Sequence, residues 1–179
     1  MGKLTISGKP IIAGSAKGVA LVSSEPLSFW GGYDWKSGEI TDRRHPLSGS
    51  NAKGTVLAIP FTRGSSTTTA VLLEAIRLKT APGAIITTST DLFFALASIV
   101  ADELYAQPLP LVAVSESDFA HLQTGDQIEI DDEGIITIRP ERRVSVRASV
   151  LLARTETRSR RTSLHIARYS EKDNQHAQI

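Results

Sequence analysis

The apolar run Thr55-Val56-Leu57-Ala58-Ile59 is followed, a few residues on, by Ala70-Val71-Leu72-Leu73-Glu74-Ala75-Ile76-Arg77-Leu78, whose apolar side chains recur at helical spacing. The first stretch reads as a buried strand and the second as a helix packed against it. Between them stand Pro60, Phe61, Thr62, Arg63 and Gly64, then the hydroxyl residues Ser65, Ser66, Thr67, Thr68 and Thr69. A strand–loop–helix junction turns the first N–H groups of the helix, which have no acceptor within it, into the loop. Such a terminus favours negative charge. A serine there can cap the helix, touch an anion or serve as an activated alkoxide. Capping is the ordinary role, with Ser and Thr caps contributing about 1 kcal/mol, and Gly64 is then a turn residue. No Gly-Lys-Ser/Thr follows a four-residue spacer, so the loop is not a P-loop. It is not a Gly-x-Ser-x-Gly nucleophile elbow either.

The rest of the chain arranges itself around that junction. Leu4-Thr5-Ile6 and Gly18-Val19-Ala20-Leu21-Val22 read as short strands separated by Gly8, Pro10 and Gly14. After the junction, Pro82 and Gly83 break the chain and Ala84-Ile85-Ile86-Thr87-Thr88 reads as another strand. Strand, helix, strand predicts a parallel crossover and an α/β fold. Residues 91–102 form a second helix, capped by Ser89, Thr90 or Asp91 and apolar over much of its circumference, which predicts deep burial. Residues 109–114 are a short strand, and a capped helical turn is expected near Ser117–Leu122. Gln127-Ile128-Glu129-Ile130 and Ile135-Ile136-Thr137-Ile138 form a hairpin around Asp131-Asp132-Glu133-Gly134.

Residues 23–53 lack regular periodicity and contain both tryptophans, Trp30 and Trp35. A loop so long is usually functional or ordered by a partner. The expectation is that Phe29, Trp30, Tyr33 and Trp35 are exposed and order at an interface, the alternative being a hydrophobic cluster beneath the loop. Charge divides the chain. Residues 1–138 hold 10 Lys and Arg against 15 Asp and Glu, a net −5, whereas residues 139–179 hold 10 against 4, a net +6. The first part is expected to be one domain and the second a basic, disordered tail. Nucleic-acid binding by the mildly acidic core is not expected. No apolar run approaches a membrane span, and the N-terminus lacks the apolar core of a signal peptide, so a cytoplasmic location is expected. With no cysteine, the chain can form no disulfide, thiol nucleophile or thiolate metal site.

Taken in order, several pieces resemble the small, swivelling-domain subunit of aconitase X enzymes. They are Glu25-Pro26-Leu27-Ser28-Phe29-Trp30-Gly31-Gly32, Asp34, Gly38, His45-Pro46-Leu47, Gly49, Arg63-Gly64-Ser65-Ser66 and Ala81-Pro82, within residues 14–138. The resemblance implies a swivelling β/β/α fold and a hydro-lyase assembled as a heterodimer. A larger catalytic subunit would carry iron or an iron–sulfur cluster on its cysteines, this chain binding neither cofactor nor metal. Family members dehydrate small hydroxy acids, cis-3-hydroxy-L-proline in bacteria and mevalonate 5-phosphate in archaea. Archaeal members have Lys-Gly-Ser-Thr where this chain has Arg63-Gly64-Ser65-Ser66, which favours cis-3-hydroxy-L-proline here.

In the wider aconitase family the first serine of a Gly-Ser-Ser-Arg loop acts as an alkoxide base, and that serine corresponds to Ser65. Gly64, Ser66 and Arg63 are the accompanying substrate-binding candidates, with Ser66 or Thr67 left to cap the helix. Thr67 stands where aconitase has its carboxylate-binding arginine, so the family pattern is not fully met, and Arg63 is a cation nearby at another position. Trp30, Gly31, Gly32, Asp34 and His45 are candidates for a site or interface loop. A reading from another class is a noncatalytic module whose Gly-Ser loop holds a small anion.

Overall fold

The computed structural model describes residues 2–141. The chain starts with two short strands, β1 (Leu4–Ser7) and β2 (Lys9–Ile12), separated by Gly8 alone. They are followed by β3 (Ala16–Val22), β4 (Val56–Ala58), α1 (Ser66–Arg77), β5 (Ala84–Thr87), α2 (Leu92–Tyr105), β6 (Leu111–Ala113), α3 (Glu116–Phe119), β7 (Gln127–Ile130) and β8 (Ile135–Arg139). All eight strands join one mixed sheet in the order β1-β8-β7-β3-β4-β5-β6-β2. β3, β4, β5 and β6 run parallel to their neighbours in that series, and the remaining pairings are antiparallel. Because consecutive strands β1 and β2 occupy the two ends of the order, the sheet curls back on itself into a near-barrel, joined through Gly8. A side chain at Gly8 would collide with Val112 Cγ1, so the closure needs glycine.

The central strands bury both faces, which is why they read as continuous apolar runs. Val56 and Ala58 of β4, Ala84 and Ile86 of β5, and Val112 of β6 join Ile128, Ile130, Ile136 and Ile138 in one core. The alternate residues Leu57, Ile85 and Leu111 face a second core with Leu72, Ala75 and Ile76 of α1 and Phe94, Ala97 and Ala101 of α2. The expected crossover through α1 and the hairpin of β7 and β8 are present, and α2 makes a second parallel crossover between β5 and β6.

Four expectations change. Lys9–Ile12 is a strand rather than a spacer: Pro10 is accommodated because β2 lies at the end of the order, where its register against β6 shifts between Pro10 and Ile12. α1 begins at Ser66, taking in hydroxyl residues that helical periodicity alone omits. α2 buries only one face, with Phe94, Ala95, Ala97, Ser98 and Ala101 inward and Leu92, Phe93, Leu96, Ile99 and Leu104 exposed. The apolar circumference predicted deep burial, but among the described residues no further layer covers that outer face. β8 also runs to Arg139, whose guanidinium binds Glu129, one residue past the expected domain end. The remainder of the expected tail, residues 142–179, lies outside the described residues.

The segment 23–53 is also corrected. Phe29 and Tyr33 are buried in the helix-side core, their rings stacked with centroids 4.7 Å apart, and Phe94 of α2 meets Phe29 edge-on at 5.1 Å. Trp35 packs partly against the same core, and only Trp30 stands well exposed. Burying a large aromatic side chain stabilises by about 1.5–3 kcal/mol, which favours the inward placement of Phe29 and Tyr33. Phe29, Tyr33 and, in part, Trp35 therefore make a cluster beneath the loop rather than being exposed.

Candidate functional site

The loop from Pro60 to Ser65 is fastened from three directions. Leu27 forms a parallel bridge with Thr62, and its carbonyl accepts from Arg63 N–H at 2.9 Å and from the Thr62 hydroxyl at 3.2 Å. The Asp91 carboxylate accepts from Thr62 N–H at 2.8 Å through one oxygen. Its other oxygen caps α2, accepting from the N–H groups of Phe93 and Phe94. The hydroxyls of Thr62 and Thr68, both buried, lie 3.3 Å apart. Gly64 crosses directly over Thr68, where a Cβ would run into the Thr68 hydroxyl. One buried carboxylate, two buried threonines and a glycine thus fix where Ser65 stands. Sequence pattern showed Asp91 as a helix cap only, since nothing in it links positions 62 and 91.

Ser65 occupies the N-cap position of α1 in extended backbone, φ −134° and ψ −161°, yet its side chain makes no capping hydrogen bond. Its carbonyl instead accepts from Thr68 N–H at 2.8 Å. The expectation that Ser66 or Thr67 is the cap is therefore overturned, because backbone geometry gives that position to Ser65. Among the described residues, no group accepts from the N–H groups of Ser65, Ser66 or Thr67. Ser65 and Ser66 are exposed. What gathers here is a free hydroxyl and idle N–H donors at the positive end of a helix, an arrangement suited to an oxyanion or carboxylate.

Arg63 adds a permanent cation. It is exposed, its guanidinium reaches only the Pro26 carbonyl at a long 3.4 Å, and it joins no ion pair among the described residues. Arg63, Gly64, Ser65 and Ser66 thus form one contiguous group. Trp30 lies three residues beyond Leu27, on the segment that anchors the loop, and is 71% exposed. Gly31 and Gly32 follow it. Gly31 has φ +72°, and a Cβ on Gly32 would strike the Ser28 carbonyl, so both serve the turn.

Neither His45 nor Asp34 hydrogen-bonds to Ser65. His45 is buried, and its Nδ1 accepts from Leu47 N–H at 3.2 Å, which leaves Nε2 to donate to the Glu25 carbonyl at 3.2 Å. Nε2 thereby braces the segment leading to Pro26 and Leu27, while Nδ1 holds the ring in its own turn. Asp34 folds its own turn, accepting from Lys36 N–H at 3.0 Å and the Ser37 hydroxyl at 2.6 Å. The Ser37 hydroxyl first, then Lys36 N–H, holds its carboxyl below the usual range. Its neighbours Tyr33 and Trp35 bond to Thr80, past the C-terminal end of α1. A helix of this length separates them from Ser65 by about 18 Å. Burial, and secondarily Asp34, pushes the Tyr33 phenol up, so it stays protonated as donor to the Thr80 carbonyl.

Among the described residues, no three His, Cys, Asp or Glu side chains come together as a metal site, and no helix is long and apolar enough to cross a membrane.

Residues 5–138 match the family model described as the aconitase X swivel domain. The chain is 47% identical over 108 residues to the cis-3-hydroxy-L-proline dehydratase of Pseudomonas aeruginosa, a match covering 60% of this chain and 19% of that protein. The chain therefore spans about a fifth of that relative's length. It is 36% identical over 135 residues to the phosphomevalonate dehydratase small subunit of Methanothermobacter thermautotrophicus, covering 74% of this chain and 98% of the subunit. The holo-form crystal structure of Thermococcus kodakaraensis aconitase X superposes with a TM-score of 0.68 at 30% identity, covering 76% of this chain and 99% of that one. The family match takes in the whole eight-stranded sheet apart from one residue at either end, and the chain accordingly belongs to the aconitase X swivel-domain family.

Proposed function

We propose that this domain supplies the base for dehydration of a hydroxy acid, with Ser65 as that base and a larger aconitase X subunit completing the site. The observation that carries the reading is the Ser65 hydroxyl, uncapped and unbonded at the start of α1 while its surroundings are tied down. The Ser65 alkoxide takes the proton alpha to the substrate carboxylate. The electron pair of that C–H bond forms the C=C bond, and the hydroxyl on the next carbon leaves with its bonding pair as hydroxide; the proton taken by Ser65 and that hydroxide sum to one water, which restores the alkoxide. A serine hydroxyl is far too weak an acid in water for this task. The idle N–H groups at the helix start and the Arg63 guanidinium favour its ionised form. A body closing over the exposed loop would remove water and strengthen both effects. Arg63, the Gly64 backbone and Ser66 are then placed to hold the substrate carboxylate. We assign the iron or iron–sulfur centre to the larger subunit, a reading supported by the lack of any cysteine in this sequence to hold a cluster. The absence of cysteine, and so of disulfides, suits a cytoplasmic enzyme.

The substrate we favour is cis-3-hydroxy-L-proline, supported by the 47% identity to the bacterial dehydratase. A second reading, mevalonate 5-phosphate, is favoured by a different observation: the match to the 36%-identical archaeal small subunit takes in 98% of that subunit's length. Both substrates carry a removable proton between a carboxylate and a hydroxyl-bearing carbon, so one loop serves either. The test is to co-express the chain with the larger subunit and assay both compounds. Turnover of cis-3-hydroxy-L-proline by the pair and none by the chain alone is expected. Turnover by the isolated chain, or of neither compound by the pair, overturns the reading.

A further inference from the structure

α2 has an apolar outer stripe that the described residues leave uncovered. Leu92, Leu96, Ile99 and Leu104 are 72%, 49%, 51% and 62% exposed, and Phe93 adds to them near the helix start. The 14-residue helix is about 21 Å long, and Leu92, Leu96 and Ile99 line one face of its first half, with Leu104 exposed separately near its end. Single exposed leucines are unremarkable, but a contiguous row of this kind marks an interaction surface.

The stripe is continuous with the candidate site. Its first residues follow Asp91, the carboxylate that holds Thr62, and the Thr69 hydroxyl of α1 donates to the Phe93 carbonyl at 3.1 Å. Phe61, 47% exposed and two residues before Arg63, extends the apolar surface into the loop itself. A body seated on the N-terminal half of α2 therefore lies beside Ser65.

We propose that the outer face of α2, with Phe61, is the surface on which the larger subunit docks, so that docking and completion of the site are one event. This rests on the two-subunit reading above. Two other occupants fit less well. A helix that lies on a membrane carries Lys and Arg along its polar face, whereas α2 carries Asp102 and Glu103 and no Lys or Arg. A second copy of this chain would bring to the loop only another serine and arginine, with no cysteine and, among the described residues, no metal-binding cluster.

The test uses the full chain and the larger subunit. Leu96→Glu/Ile99→Glu should weaken their association at least 100-fold by analytical ultracentrifugation. The melting temperature of the free chain should hold, since both side chains are exposed. Val19→Glu, an exposed position on β3, should leave association unchanged. A photo-crosslinking residue at position 96 provides a readout independent of the double variant's folding, and should join the chain to the larger subunit. Normal association of the double variant, or crosslinking at position 96 only between copies of this chain, overturns the proposal while leaving the two-subunit reading intact. So does binding to vesicles of phosphatidylcholine and phosphatidylglycerol that the double variant abolishes without loss of subunit association. A wild-type chain that fails to bind the larger subunit instead overturns the two-subunit reading and this proposal with it.

Discussion

The two irregular segments of this domain are opposites. Residues 23–53 are long and tryptophan-bearing, yet their hydrogen-bonding capacity is largely used at home. Ile40 N–H donates to the Ser50 carbonyl, Thr41 N–H to Gly32 and Ala52 N–H to Gly38, while Phe29 and Tyr33 are buried in the core. The junction at residues 60–67 is short, but its end leaves a hydroxyl and three N–H groups unspent. Its scaffold, Thr62, Thr68 and Asp91, is fully engaged. The contrast teaches that reactive capacity is better located by unused donors on a rigid frame than by loop length or aromatic content.

The largest expected effect comes from the short segment. Ser65→Ala should reduce turnover of the assembled enzyme by about 10²–10⁴-fold, the range for loss of a positioned base. Stability should change by less than the roughly 1 kcal/mol of a capping serine, because this hydroxyl caps nothing. Ser66→Ala should act more mildly. Parallel turnover and melting measurements decide it, and a Ser65→Ala chain that melts well below wild type, or that keeps normal turnover, would break the contrast.

The long segment should respond in stability. Phe29→Ala removes a fully buried ring packed on Tyr33 and Phe94, and should destabilise by about 3–5 kcal/mol in urea unfolding. A loss below about 1 kcal/mol would mean that residues 23–53 are not part of the core. The smallest effect concerns Asp34, whose carboxyl is held below its usual range by Ser37 and Lys36. Its folded value thus lies below the unfolded one, near 3.9. The stabilisation is present above that value and is lost as pH falls through the folded one. Asp34→Asn should therefore melt slightly lower than wild type at pH 7, and the gap should close in acid. A gap that stays constant down to the acid limit would show that the carboxylate is not responsible.

How much of this the chain disclosed in advance follows from where the physical signal lies. β4 and β5 were legible because strands buried on both faces are apolar without interruption, and β7–β8 because Asp131 to Gly134 is turn chemistry. Asp91 was legible as one of three candidate caps with Ser89 and Thr90, the local half of its role. Its bond to Thr62 was not, since no short-range pattern links positions so far apart. Pro10 hid β2, because proline argues against a strand unless one knows that the strand lies at an edge. On α2, helical periodicity gave an apolar circumference but could not say which side the chain would cover. For the Arg63-Gly64-Ser65-Ser66 loop, composition pointed to anion chemistry, and the missing element was that Ser65 stands at the cap position without capping.

The seam at Gly8 bears on the order in which the molecule can be made. Leu4 pairs with Ile138 and Lys9 with Ala113, so the first two strands of this domain wait for partners that follow them by a hundred residues or more. Contacts of such sequence separation form late, because the chain between them must first be gathered. Until then the parallel strands β3 to β6 have a bare edge on each side. The amino-terminal twelve residues therefore act as the clasp of the domain: any amino-terminal fragment ending before β8 has an open sheet, whatever the soundness of its helices.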